Sequence, residues 1–467
     1  MKRLYDRLEE YSQQDYYGFH MPGHKRNETF MGISLSYGID ITEIEGFDDL
    51  HHAGGILKEA QERAAHVFDA KETHFLINGS TVGILSAILG CTEKGDKILI
   101  ARHCHKSVYH AIYLNELVPR YLYPQFDPDF HMNGEILQRD VERALEAEPD
   151  IQAVVIVSPS FDGVVSDVRG IANTVHSYGI PLIVDEAHGA HLGFHEYFPE
   201  RANRLGADVV INSLHKTLPS LTQTALLHWN GGFADGERIR KYLDMLQSSS
   251  PSYLFMASLD ACVDLLEKRS TEVFEPYVVR LGNLREELGK LRHLHLVRTD
   301  HYDPSKIVIS TAKTDLTSKE LYETLLRDYH LQMEMAAGTY VVAMTAIADT
   351  EEGFRRLTKA LAEIDGRLRD VEKEAPPGGG ELPRQEQAVT PYEAGRCEKE
   401  KIEEIRWQES EGRVALEYAY LYPPGSPVIV PGERISLEAV GLLRFYEEQG
   451  FRIEGMSRAG FIKAAKR

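Results

Sequence analysis

The chain has 467 residues, enough for two to four domains of roughly 100 to 200 residues each, and its 43% hydrophobic content excludes disorder throughout. Against 52 Lys and Arg stand 72 Asp and Glu, a formal net charge of -20 that disfavours a nucleic-acid backbone or an anionic membrane surface as partner. Cys91, Cys104, Cys262 and Cys397 form no CxxC pair, MKRLYDRLEEYSQQD is no apolar leader, and no 18-residue uncharged apolar run occurs, so the expectation is a soluble, cytoplasmic protein with free thiols.

In chain order, an N-terminal segment over 1–50 precedes a large domain over 51–270. Between 74 and 228 short apolar runs alternate with amphipathic ones, the pattern of βαβ units around a mainly parallel sheet. HFLI, KILIA, AVVIVS, PLIVDEA, DVVINS and TALLHW are the expected strands. STVGILSAILG, SVYHAIYLNEL, GEILQRDVERALEAE and IANTVHSYG are the expected helices between them. LDACVDLLEKR and VVRLGNLREELGKL predict a long helical stretch leading into a small α+β domain over 271–374, with strands near KIVIS and YVVAMTAI. Residues 375–387, APPGGGELPRQEQ, read as a solvated linker, and 388–467 as a C-terminal α+β module. The chain shows no internal repeat and no nucleic-acid motif.

Three segments fall at expected C-terminal ends of strands, where open α/β sheets bind ligands. Asn78-Gly79-Ser80-Thr81-Val82-Gly83 ends a strand and opens a helix; its free backbone N–H groups and hydroxyls suit a phosphate, although a plain helix cap explains the same residues. Asp185 leaves the apolar strand of PLIVDEAHGAH, and a buried carboxylate needs a partner, either a structural one or a pyridinium nitrogen that it keeps protonated. Lys216, 31 positions after Asp185, sits past a strand in Ser213-Leu214-His215-Lys216. A lysine there can bind an aldehyde cofactor while its neighbours hold a phosphate, or can be a surface charge. Together the three are the parts of a pyridoxal phosphate site.

Asp-Glu-Ala-His-Gly-Ala-His (185–191) and Ser-Leu-His-Lys (213–216), with Phe-His-Met-Pro-Gly-His-Lys (19–25), Cys-His-Lys-Ser (104–107) and Tyr-Pro-Pro-Gly-Ser-Pro (422–427), resemble the bacterial ornithine/lysine/arginine decarboxylases, over about 17–434. Among these the chain is most similar to the short Gram-positive members without an N-terminal response-regulator-like wing. The resemblance implies the aspartate-aminotransferase fold (fold type I), pyridoxal 5'-phosphate as cofactor, and at least a dimer with shared sites. It implies Lys216 as the Schiff-base lysine, Asp185 as partner of the pyridine nitrogen, His105 stacked on the ring, Ala187 against its other face and His188 beside it. Ser80, Thr81, Ser213 and His215 would surround the phosphate, and Ser249 would reach it from a neighbouring subunit. Ser158-Pro159-Ser160 stands where many relatives have Asn-Pro-Thr, which puts a contact to the cofactor's phenolic oxygen in question.

The reaction so implied is loss of CO2 from a basic amino acid, arginine to agmatine first, then lysine to cadaverine or ornithine to putrescine, within polyamine metabolism. Lys216 or His188 returns the proton. Glu43, Glu45, Asp48 and Asp49 are the candidate carboxylates for the substrate's cationic end, against the plainer reading of a solvated acidic loop. The Pro-Gly of 22–23 reads most simply as a turn. Three alternatives stand beside this: transamination or another reaction on the same scaffold, a non-catalytic paralogue, and a metal hydrolase built on His103-x-His105 and His188-x-x-His191, which lacks a carboxylate-plus-histidine set. No metal is expected.

Overall fold

The computed structural model describes residues 15–19, 47–373, 380–421 and 426–466, with 23, 25, 30, 32 and 43 as single positions. The large domain is built on seven strands: β1 (Glu72–Leu76), β2 (Lys97–Ala101), β3 (Val118–Leu122), β4 (Ile151–Val157), β5 (Leu182–Asp185), β6 (Val209–Asn212) and β7 (Ala225–Trp229). Their order is β1-β7-β6-β5-β4-β2-β3. β7 runs antiparallel to both its neighbours and every other pair is parallel. The inner strands β5 and β6 are buried at every residue, which is why they read as unbroken apolar runs rather than alternating ones. β3 escapes the sequence pattern because it is an edge strand, half-buried and interrupted by Pro119, which an edge tolerates.

Helices cover both faces: α1 (Ile56–Val67), α2 (Gly79–Cys91), α3 (Lys106–Leu114), α4 (Gln138–Ala147), α5 (Val168–Ser177), the single turn α6 (Leu214–Thr217) and α7 (Gly236–Leu246). α2 is buried nearly all round, with Val82, Ile84, Ala87, Ile88 and Leu89 in the core. α8 (Tyr253–Leu288) then carries the chain to the small domain. Non-helical backbone at Arg269 kinks it, and the two helical sequence runs lie on either side of that kink.

The small domain is an antiparallel sheet of β8 (His295–Leu296), β9 (Lys306–Ser310), β10 (Met335–Ala337) and β11 (Tyr340–Met344), in the order β8-β9-β11-β10, with helices α9 (Ser318–Asp328) and α10 (Glu351–Asp365). Residues Tyr17–Phe19 pair in parallel with Leu331–Met333, and the Tyr17 hydroxyl donates to Asp349 Oδ1 at 2.6 Å. Residues 17–19 of the N-terminal segment are therefore joined to the small domain.

A third core, with Trp407, Ile429, Leu443 and Ile462, belongs to the C-terminal module around α11 (Leu437–Glu448). The expected solvated linker ends early: Glu386–Gln387 pair with Glu433–Arg434, so this stretch is stitched into the module by backbone bonds that composition does not reveal. Among the described residues no helix is long and apolar enough to cross a membrane.

Candidate active site

Three strand ends converge where the sheet presents its C-terminal edge. β5 ends in Asp185, 3% exposed, whose Oδ1 accepts the backbone N–H of Ala187 at 3.1 Å. β6 leads through Ser213 into α6 and Lys216. Lys216 Nζ lies 2.9 Å from Nε2 of His188, itself buried in the turn after β5. Gly23 of the N-terminal segment rests on α6, its N–H bonded to His215 O; a Cβ there would come within 2.5 Å of Leu218 N, so only glycine permits this approach.

The charges in this pocket are tuned by burial. Burial lowers the Lys216 ammonium below the ordinary lysine range; Asp185 and Glu334 oppose this, and Lys306 adds to it. Burial, and then the cations of Lys216 and Lys306, press the His188 imidazole far down, so it is neutral. Burial raises Asp185 while Lys216 pulls it back. An amine with weakened basicity, a neutral imidazole touching it and a buried carboxylate on the next strand make a nucleophile, a proton carrier and an anchor for a cation.

The opposite wall comes from β1 and α2. Gly79 (φ 75°) turns the chain into the helix, and Asn78 makes no side-chain cap, so the first N–H groups of α2 lack that partner. The Ser80 and Ser213 hydroxyls meet at 2.5 Å, which joins this helix start to the Lys216 turn. Thr81 is exposed on the same turn. His215 Nδ1 is engaged by Thr224 O at 2.9 Å. His105 caps α3, its Nδ1 accepting Ser107 N–H at 3.2 Å, and its electrostatic partners include Lys216. Contacts thus bring Asp185, Ala187, His188, Lys216, Ser213 and Ser80 together, with His105 in electrostatic reach of Lys216.

The fit to pyridoxal phosphate follows from these residues. A helix start with uncapped amides and paired hydroxyls suits a phosphate. Asp185, with one backbone donor, has an oxygen left for a ring N–H, and among the described residues the buried His188 Nδ1 and Thr217 Oγ1 have no partner. The Ser158-Pro159-Ser160 departure is now explicit: Ser158 Oγ accepts Ser166 N–H at 3.1 Å and Ser160 Oγ accepts Val164 N–H at 3.0 Å. Each hydroxyl keeps one proton to donate.

Residues over 301–306 of the small domain close the site from above, a contribution that the sequence reading missed. Lys306, 1% exposed, donates to His188 O at 3.2 Å and lies 3.3 Å from Asp303 Oδ2; Asp303 Oδ1 is 3.0 Å from His191 Nε2. Phe161 packs on His188 with ring centroids 4.6 Å apart. The only sequence signal for Lys306 is a cation opening the apolar run KIVIS after Asp-Pro. His188 and His191 thus serve different partners, and among the described residues no group of three or more His, Cys, Asp or Glu converges on a metal position.

Residues 47–52 of the acidic segment approach the start of α2 through Ser248. His51 Nε2 bonds Ser248 O at 2.9 Å, and Ser248 N–H donates to Asn78 Oδ1 at 3.1 Å, which brings the loop, the exposed Ser249 segment and the α2 start together. Asp48, however, is taken up by backbone: it accepts Gly55 N–H at 2.7 Å, Gly54 N–H at 3.0 Å and Leu57 N–H at 3.1 Å. Burial raises it, but these amides outweigh burial and hold it at about 2. The N-cap residue of α1 is Gly55, and Asp48 acts as a capping carboxylate from seven positions earlier, because a carboxylate at a helix start satisfies the donors the helix leaves open. Asp49 accepts His51 N–H at 2.9 Å and lies 3.1 Å from His52 Nδ1. Glu43 is exposed, and Glu45 lies outside the described residues, as do His20 and His24. Burial, then the charges of Glu43, Asp49 and Asp48, push the Tyr253 hydroxyl up.

Residues 2–328 match the model of the Orn/Lys/Arg decarboxylase major domain and 381–458 that of its C-terminal domain. The chain belongs to the Orn/Lys/Arg decarboxylase family. As a member it is a decarboxylase of basic amino acids. It is 36% identical to YaaO of Bacillus subtilis, over 94% of this chain and 92% of that one, and 30% identical to the arginine decarboxylase of the same organism, over 97% and 95%. The Halalkalibacterium halodurans arginine decarboxylase shares 32% identity over 94% and 91%. Among solved structures, lysine decarboxylase LdcF of Francisella novicida superposes with a TM-score of 0.78 at 20% identity, over 98% of this chain and 80% of that one. An alanine–glyoxylate aminotransferase from Nostoc does so at 0.56 and 16%, over 72% and 90%. These likenesses place the family's fold among the pyridoxal-phosphate enzymes of fold type I.

Proposed function

We propose that this family member decarboxylates arginine to agmatine with pyridoxal 5'-phosphate, with lysine and then ornithine as the next substrates. The observation that carries the reading is the 2.9 Å contact of Lys216 Nζ with His188 beside the buried Asp185. Preference for arginine draws on the Bacillus and Halalkalibacterium relatives named for it; the resemblance to lysine decarboxylases keeps lysine second.

When bound, the cofactor supplies an electron sink that lets the substrate's carboxylate depart as CO2. Lys216 Nζ would hold the cofactor, Asp185 would keep the ring nitrogen protonated, and Ala187 and His105 would confine the ring. Ser80, Thr81, Ser213 and His215 surround the phosphate, with Ser249 of a second copy completing the site. Lys216 Nζ, or His188 Nε2 beside it, returns the proton at Cα. Glu43, Glu45 and Asp49 draw the substrate's cationic end to the site. The product amine suits a cytoplasmic role in polyamine supply.

The test is incubation of the purified, cofactor-loaded protein with arginine, lysine and ornithine separately, trapping CO2 and identifying the amine. Agmatine formed fastest supports the assignment, and cadaverine formed fastest moves it to lysine. A keto acid in place of CO2 would indicate transamination. A folded protein that takes up no pyridoxal phosphate overturns the proposal. Lys216→Ala is expected to abolish turnover.

A further inference from the structure

The two residues that lead from β2 into the His105 turn are gripped from outside the large domain. Arg102, 1% exposed, donates from Nη2 to Val428 O and to Glu433 Oε2, each at 3.1 Å, and from Nη1 to the Tyr109 hydroxyl at 2.9 Å. The Ser426 hydroxyl donates to His103 O at 3.0 Å. Glu433 is fully buried and its Oε2 also receives Val430 N–H and Gln385 Nε2, both at 2.8 Å. Gln385, at the end of the expected linker, also donates to Val428 O and accepts Ser436 N–H. Two consecutive residues of the large domain are thus tied to C-terminal residues more than 320 positions away, and His105 follows two residues later.

This pair is poorly explained as a source of stability. Among the described residues Arg102 Nε and Glu433 Oε1 are buried without a partner, and a buried ion pair left partly unsatisfied does no better than apolar residues of similar size. What an ion pair adds is direction: a forked guanidinium meeting a carboxylate and a carbonyl admits one placement of the backbone behind it.

We infer that Arg102 and Glu433 are positioning residues of the cofactor site, through which the C-terminal module sets the His103-Cys104-His105 turn and so the placement of the ring that His105 stacks on. The inference rests on the pyridoxal-phosphate reading above. It assigns the module a part in holding the cofactor in the same chain.

The experiment uses the double variant Arg102→Met with Glu433→Gln, which removes both charges yet keeps an acceptor for Val430 N–H, and separately Ser426→Ala, which removes only the bond to His103 O. Each is compared with wild type for melting temperature, for affinity of the apo-protein for pyridoxal phosphate, and for the circular dichroism that the bound cofactor acquires in the visible range. The double variant is expected to melt no lower than wild type, to bind the cofactor about tenfold more weakly and to show an altered cofactor dichroism, since loss of a well-placed ring-stacking contact costs about this much. Ser426→Ala is expected to shift affinity and dichroism in the same direction to a smaller extent. Wild-type affinity and dichroism in both variants would overturn the inference. If the double variant fails to fold, Ser426→Ala decides alone by the same readouts. A wild-type protein that binds no pyridoxal phosphate overturns the proposed function and this inference with it, and that outcome is distinct from a binding wild type whose variants are unchanged.

Discussion

Asp185 and Lys216 carry opposite charges in one pocket, and each moves the other's titration back toward its ordinary range against the pull of burial. Asp185→Asn keeps the size of the side chain and its bond to Ala187 N–H but removes the anion that would hold a ring proton. We expect kcat to fall by about a hundredfold or more, with the fold intact by circular dichroism. Both residues were legible in the sequence for one reason: a charge following an apolar strand must have a partner. Lys306 sends a similar signal at the start of KIVIS but was missed, because a lysine opening a strand is ordinarily solvated. What buries it is the docking of Asp303–Lys306 on Gly163 and His188, where Asp303 N–H donates to Gly163 O at 2.7 Å. Asp48 shows the converse. Its acidic neighbourhood suggested substrate, while its backbone amide partners make it a cap.

At the scale of elements, α1 depends on that cap. Asp48→Ala is expected to cost about 1 to 2 kcal/mol in denaturant unfolding while the KM for arginine stays at the wild-type value; a raised KM would return Asp48 to the substrate site. β7 offers a pH dependence. His228 is fully buried, its Nδ1 2.7 Å from Thr73 Oγ1, and burial, helped by Arg201 and His74, pushes it down to about 3. The folded chain keeps it neutral while the unfolded chain protonates it near its ordinary 6.5. Between those values the unfolded state binds more protons, so stability present above pH 6.5 is lost as pH falls toward 3. His228→Gln keeps a partner for Thr73 and removes the titration. The variant's deficit at pH 7 should therefore narrow by up to about 1.4 kcal/mol per pH unit below 6.5, measured by unfolding at stepped pH. Elements with strong patterning, such as β5, β6 and α2, were legible. β3 was not, since an edge strand whose only two buried residues are Pro119 and Leu122 carries little periodicity.

For the whole molecule, the net charge of -20 includes Asp48 and Asp49, whose segment His51 ties to Ser248 and through it to Asn78; on the proposed function, a field of one sign there would raise the local concentration of a cationic substrate. A shared site makes a prediction of its own. If Ser249 serves a neighbouring subunit, Lys216→Ala and Ser249→Ala each lose activity alone, but mixed, re-associated dimers regain one intact site. Recovery on mixing, read as CO2 release, supports the shared site, and none supports Ser249 acting within its own chain.

The residues by themselves determined the doubly covered parallel sheet and the Asp185 to Lys216 framework, because both are local: an apolar strand and the charge at its end are contiguous in the chain. Only the tertiary structure decided that Lys306 and Asp303 close over His188, that Gly23 seats against the Lys216 turn, and that Glu433 meets Arg102. Each of these joins segments more than a hundred positions apart. Their burial and partners exist only once the domains pack, and no periodicity in the sequence encodes them.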